Sequence, residues 1–230
     1  MAEERPGKRR VRLGAALWNG DHGRLAEEVA RLEEAGLDFL HIDVFDGYFV
    51  PDVAFSPRTI GVLRKLTRLP FEVHLGVLEP ARFAPPLVEA GVDLILFHLE
   101  STRMPFETAF GIHALGTKAG LALSLGTPLS LALPLLSRVD SLLLLSRVTG
   151  EGARGGSFDP GALPRLEEAR RMISSAGGGC ELQVAGGVNR INIPKLVEAG
   201  ATTLSLGAGI YKVADMRNEI QEIRRSLGEE

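Results

Sequence analysis

The chain of 230 residues has one cysteine, one tryptophan, two tyrosines and no surplus of either charge. A lone Cys180 excludes an intrachain disulfide framework and fits a reducing compartment. With 26 basic and 29 acidic side chains the net charge is −3, so no field draws in nucleic acid or an anionic membrane surface. The N-terminus mixes charges, and Asn19 and Asp21 interrupt it before any apolar stretch reaches signal-peptide length. Residues 1–10 read as a flexible basic tail on a single domain spanning 1–230, and the expected setting is cytoplasmic. The longest uncharged run, Ala119 to Ser137, approaches bilayer-spanning length. Gly126-Thr127-Pro128 and Pro134 break it into a buried strand, a turn and a short helix.

Short aliphatic runs recur along the chain, each followed by a stretch with helical spacing. The expected strands are Val11–Leu17, Asp38–Asp43, Phe71–Leu75, Asp93–Leu99, Ala119–Leu123, Ser141–Leu145, Glu181–Val184 and Thr202–Ser205. The expected helices are Arg24–Ala35, Pro57–Leu66, Ala81–Ala90, Phe106–Leu115, Leu129–Leu135, Pro160–Ser174, Ile193–Ala199 and Asp215–Ser226. In the first helix Leu25, Val29 and Leu32 share one face while Glu27, Glu28, Arg31 and Glu34 cover the rest. Three helices end in Glu-Ala-Gly, at 34–36, 89–91 and 198–200, where glycine can take the left-handed conformation that closes a helix. Strands that are apolar throughout, such as Leu142–Leu145, belong in a parallel sheet covered by helices. Eight strand–helix units without a linker predict an α/β fold, a single (β/α)8 TIM barrel, with an open doubly wound sheet as the alternative.

In a barrel, polar residues at the C-terminal strand ends carry the chemistry. Alternation puts His41 and Asp43 on the same side of the second strand, and the third strand beside it ends in His74. Two imidazoles and a carboxylate suit a divalent ion, with Zn²⁺ or Fe²⁺ favoured over the oxygen-seeking Mg²⁺. The competing reading is a set of hydrogen-bonded residues at the barrel rim. Glycine and proline make up about 17% of the chain, above the usual ~12%, and part of that excess falls on three loops at one mouth. Gly155-Gly156, Gly186-Gly187 and Gly207-Ala208-Gly209 would offer backbone N–H groups to a phosphate there. Trp18, Asn19 and Glu100 are further candidates for the substrate pocket.

The block Leu40-His41-Ile42-Asp43-Val44-Phe45-Asp46-Gly47-Tyr48-Phe49-Val50-Pro51 resembles the signature of the ribulose-phosphate 3-epimerases. Val73-His74-Leu75, Phe97-His98-Leu99-Glu100 and Gly207-Ala208-Gly209-Ile210-Tyr211 extend the similarity from about Leu13 to Tyr211. The resemblance implies a ribulose-phosphate-binding barrel that inverts C3 of a ketopentose 5-phosphate through a metal-stabilised enediolate. It also implies Asp43 as a proton-transferring base and metal ligand, with His41 and His74 as further ligands. A second aspartate is expected in a Val-Asp-Gly-Gly segment, but the chain reads Val184-Ala185-Gly186-Gly187. A serine expected on the first strand is Ala16, the methionine usual after the third-strand histidine is Gly76, and the sixth loop, with Arg147, Glu151 and Arg154, is longer. The leading expectation is a metal-assisted epimerase or isomerase of a ketose phosphate. An aldol-type lyase and a sugar-phosphate-binding homologue without turnover are the alternatives, and a homo-oligomer is the default assembly.

Overall fold

The computed structural model describes residues 10–148 and 157–229. The expected tail, apart from Arg10, and the candidate phosphate residues Gly155 and Gly156 lie outside the described residues. Eight parallel strands form a closed barrel in sequential order: β1 (Arg12–Ala16), β2 (Phe39–Phe45), β3 (Phe71–Gly76), β4 (Leu94–His98), β5 (Lys118–Leu123), β6 (Ser141–Leu145), β7 (Glu181–Ala185) and β8 (Thr203–Leu206). Pairing of β1 with both β2 and β8 closes the cylinder and excludes the open sheet.

The described α-helices outside the strands are α1 (Leu25–Glu34), α2 (Pro57–Leu63), α3 (Ala84–Glu89), α4 (Pro105–Ala114), α5 (Ala162–Ser175), α6 (Ile193–Glu198) and α7 (Met216–Ser226). The glycines of the Glu-Ala-Gly joints, Gly36, Gly91 and Gly200, all have positive φ, between 85° and 115°. The expected fifth helix is absent: Leu129–Leu131 and Leu133–Leu135 are separate 3-10 turns. Pro134 has no N–H to donate and its ring clashes with a carbonyl four residues back, so the apolar run buries Leu129 and Leu135 without completing an α-helical turn.

Outward-facing strand residues such as Leu40, Ile42, Val73, Leu75 and Leu204 pack under the helices and make the main core. Inward-facing residues fill the barrel in layers drawn from alternate strands, because strand tilt displaces successive members by about one residue per strand. Following the register around the barrel places His41, Leu96, Leu143 and Ser205 in one layer. Ala16, His74, Ala122 and Ala185 form the next layer toward the C-terminal mouth, and Asp43, His98, Leu145 and Gly207 the one above. Deeper in, Gly14 is obligatory, since a Cβ there would lie 2.3 Å from the Phe39 ring.

Candidate active site

A cavity of about 280 Å³ opens at the C-terminal mouth. His41, Asp43, His74, Trp18, Asn19, Gly186, Gly187, Gly207 and Ala208 line it, so the strand ends and the described glycine loops do converge. Trp18 is held at the rim edge-on to His22 and Phe55, with ring centroids 4.8 and 6.1 Å away. The loop after β2 is pinned by Asp46, whose carboxylate accepts from the backbone N–H groups of Tyr48, Phe49 and Leu78 at 2.8 to 2.9 Å. That carboxylate gives the signature block a structural purpose beyond its histidine and aspartate.

On the β2–β3 side, Asp43 Oδ1 accepts from His74 Nδ1 at 2.9 Å and lies 3.6 Å from His41 Nε2. One ligating atom from each of His41, Asp43 and His74 falls within 4.8 Å of the others. Burial works against charge on Asp43, but its contacts with the two imidazoles outweigh this and hold its pKa well below the usual carboxylate range. His41 is also buried, yet the carboxylates of Asp43 and Glu72 push its pKa up to about 10. His74 goes the other way: burial, reinforced by the neighbouring imidazoles, overcomes Asp43 and lowers it to about 4. The donor set of imidazole and carboxylate suits a divalent transition ion, and on the β7 side the cavity wall presents the methyl of Ala185, which carries no donor atom.

Behind the ligand atoms lie partners that orient them. His41 Nδ1 is 2.9 Å from Glu72 Oε1, and Gln183 Nε2 donates to Glu72 Oε2 at 2.9 Å. Glu72 is therefore a buried acceptor beneath His41, outside the cavity lining, and does not face a substrate as a proton donor would. His74 Nε2 meets His98 Nε2 at 2.8 Å, and His98 Nδ1 meets Glu100 Oε2 at 3.2 Å. If His98 keeps its proton on Nδ1 for Glu100, its Nε2 can accept from His74. A neutral His74 carries one N–H, so donating from Nε2 gives up its Nδ1–H bond to Asp43 and leaves Nδ1 as a lone pair that could ligate an ion.

Glu100, expected in the substrate pocket, is consequently displaced from it. It faces His98, accepts from Ser124 N at 2.8 Å and also bonds the Thr127 hydroxyl. Burial alone would raise its pKa, but His98 and Thr127 bring it down to about 2. The 3-10 turn that ends β4, Leu99–Ser101, turns the side chain toward β5 instead of the cavity. The expected fourth strand ran to Leu99, whereas the strand ends at His98, and the 3-10 turn that follows has no signature in the apolar pattern.

The facing wall is different. Ala16, Ala185, Ser205 and the glycine loops supply it, with Arg147 at its edge. Gly187 sits at φ 70°, and a Cβ on it would be 2.8 Å from Phe158 N, so this position takes only glycine without a shift. Its carbonyl accepts from Asn189 Nδ2 and Asn192 Nδ2, both at 3.0 Å, which fixes the loop. The N–H groups of Gly187, Ala208 and Gly209 donate to no acceptor among the described residues and border the cavity, a suitable lining for an anion. The hydroxyl of Ser205, absent from the sequence-based candidates, also reaches this cavity. A lone serine in an apolar strand carries no recognisable pattern.

Residues 12–211 match the model of the ribulose-phosphate 3 epimerase family. The chain is 35% identical over 225 residues to the chloroplastic ribulose-5-phosphate-3-epimerase of Arabidopsis thaliana, covering 97% of this chain and 79% of that protein. It is 34% identical over 217 residues to the ribulose-phosphate 3-epimerase of Bacillus subtilis (strain 168), covering 94% and 99% of the two chains. Among solved structures, KGPDC from Streptococcus mutans superposes with a TM-score of 0.70 at 14% identity, over 96% of this chain and 98% of that one, a likeness of fold alone. The matched span runs from the first residue of β1 to the turn after β8, and on that ground the chain belongs to the ribulose-phosphate 3-epimerase family.

Proposed function

We propose that this cavity epimerises a ketopentose 5-phosphate of the ribulose/xylulose type at C3, with Asp43 as the base. The observation that carries the reading is the buried Asp43 carboxylate held ionised between His41 and His74 at the floor of a phosphate-sized mouth. A divalent cation bound by His41, Asp43 and His74 would supply the positive charge that stabilises an enediolate. Asp43 accepts the C3 proton, a water entering beside Ala185 returns a proton to the opposite face, Glu72 holds His41 from behind, and Glu100 acts through His98 to set the tautomer of His74. The N–H groups of Gly187 and Ala208 receive the phosphate, and Trp18 and Asn19 wall the entrance. Exposed Phe106 and Phe110 on α4 support self-association, and a cytoplasmic homo-oligomer completes the reading.

Ala185 can neither return a proton nor bind an ion, and this favours a second reading in which the cavity binds a sugar phosphate without inverting it. Proton NMR of ribulose 5-phosphate and xylulose 5-phosphate in D₂O, with metal content assayed on the same sample, separates the two. The expected result is deuterium at C3 with measurable inversion. Exchange without inversion would leave Asp43 as a base with no donor on the other face. No exchange at full metal occupancy would overturn the epimerase reading.

A further inference from the structure

Ser205 is 2% exposed and is among the residues lining the cavity, and its buried hydroxyl has no hydrogen-bond partner among the described residues. Neighbouring hydroxyls inside the same barrel are satisfied: Thr203 donates to Glu181 Oε2 at 3.3 Å and Ser141 to the Glu181 carbonyl at 3.3 Å. A serine kept only to fill the barrel would be expected to find such a partner, because a buried hydroxyl without one is destabilising relative to alanine. The register shows what separates this one from the mouth. Ser205 pairs with Ala185 on one side and Gly14 on the other, and the inward residues one layer above it on β7 and β1 are Ala185 and Ala16. Only their methyl groups stand above the hydroxyl on these two strands, and in the same layer as Ser205 the next inward residue is His41.

We propose that Ser205 is a substrate-contacting residue, its hydroxyl bonding an oxygen at the reacting end of the sugar phosphate from the β7–β8 wall. The inference deepens the proposed epimerase reading and rests on it for the class of ligand. The two positions at which the chain departs from the expected serine and aspartate, Ala16 and Ala185, are the ones that uncover Ser205. The polar contact of this wall has thereby moved one layer deeper, and a ligand oxygen reaches it past two methyl groups where longer side chains would block the way. The other unpartnered buried oxygen nearby, Gln183 Oε1, lies one layer farther down and outside the cavity lining, so it offers no competing contact to a ligand.

The test compares the metal-loaded full chain with Ser205→Ala and the near-isosteric Ser205→Cys. Dissociation constants for the equilibrium mixture of ribulose and xylulose 5-phosphates, and for inorganic phosphate, are measured by calorimetry beside a thermal melt. The expected result is a roughly 3- to 10-fold weaker affinity for the sugar phosphates, the size of one neutral hydrogen bond. Inorganic phosphate binding should be unchanged and the melting temperature unchanged or raised, with Ser205→Cys falling between the wild type and alanine. Equal sugar-phosphate affinity in all three chains would overturn the proposal. So would parallel weakening of both ligands, or a lowered melting temperature with binding intact, since either marks a structural hydroxyl. A wild type that binds the sugars without exchanging the C3 proton overturns the epimerase reading alone, and the binding comparison still decides Ser205. A wild type that binds phosphate but no sugar phosphate overturns both.

Discussion

The two walls of the cavity are built on opposite principles. The β2–β3 wall packs Asp43, His41 and His74 with Glu72, Gln183, His98 and Glu100 behind them, and hydrogen bonds link these side chains one to the next. The β7–β8–β1 wall presents Ala185, Ala16, glycine backbone and the single hydroxyl of Ser205. Burying charge is costly unless partners satisfy it, which is why the charged wall is deep and layered. Backbone N–H groups need no such support, so the other wall is thin and depends on glycine geometry. The comparison teaches that this chain concentrates its titratable side chains on one side of the cavity and leaves the other side to small side chains and backbone N–H groups.

Breaking the charged wall gives the largest expected effect. Asp43→Asn should lower deuterium entry at C3 by about 10²- to 10⁴-fold, the usual worth of a positioned base, as followed by NMR at equal metal occupancy. Equalising the walls comes next. Ala185→Asp should tighten metal binding by more than the roughly 10- to 100-fold that outer partners command and raise the ratio of inversion to exchange. A chelator competition reads the first effect, and unchanged affinity would show that β7 stands too far away to ligate. The metal-free variant should melt at a lower temperature, because the added carboxylate faces Asp43 without a cation.

Smaller effects sharpen the comparison. Glu72→Gln should weaken metal binding about 10- to 100-fold by loosening His41, with little change in phosphate affinity. The pH dependence follows from His41, whose pKa is raised to about 10 in the folded chain. Its stabilising contribution to the metal-free protein is therefore full below its ordinary value near 6.5 and is lost as pH rises toward 10. Metal loading must displace that proton, so affinity should climb through the same window, and loading at pH 8 should release about one proton per chain. Away from both walls, burial pushes the Cys180 thiol up to about 12. It should react with a thiol reagent at pH 8 only after denaturation, the smallest of these effects.

Much of this was legible in one dimension. Period-two apolar runs and glycine-closed helices announced the barrel, and alternation put His41 and Asp43 on the same side before any coordinates. The fifth connection was misread because its apolar residues have helical spacing, while Pro134 removes the hydrogen bond a helix needs there. Glu100 was misplaced for a similar reason, a 3-10 turn at the end of β4 that alternation does not foresee.

The sequence by itself determined the barrel, the convergence of two histidines with Asp43, and the loss of a carboxylate at Ala185. The first two are matters of residue type and local period, and the third follows from the family resemblance. Only the tertiary structure decided that Glu72 lies against His41, that Glu100 lies against His98 and bonds Ser124 outside the cavity, and that Ser205 is among the lining residues. Glu72 stands 31 positions from His41 and 111 from Gln183, and such relations depend on barrel register and tilt, which no local pattern in the chain records.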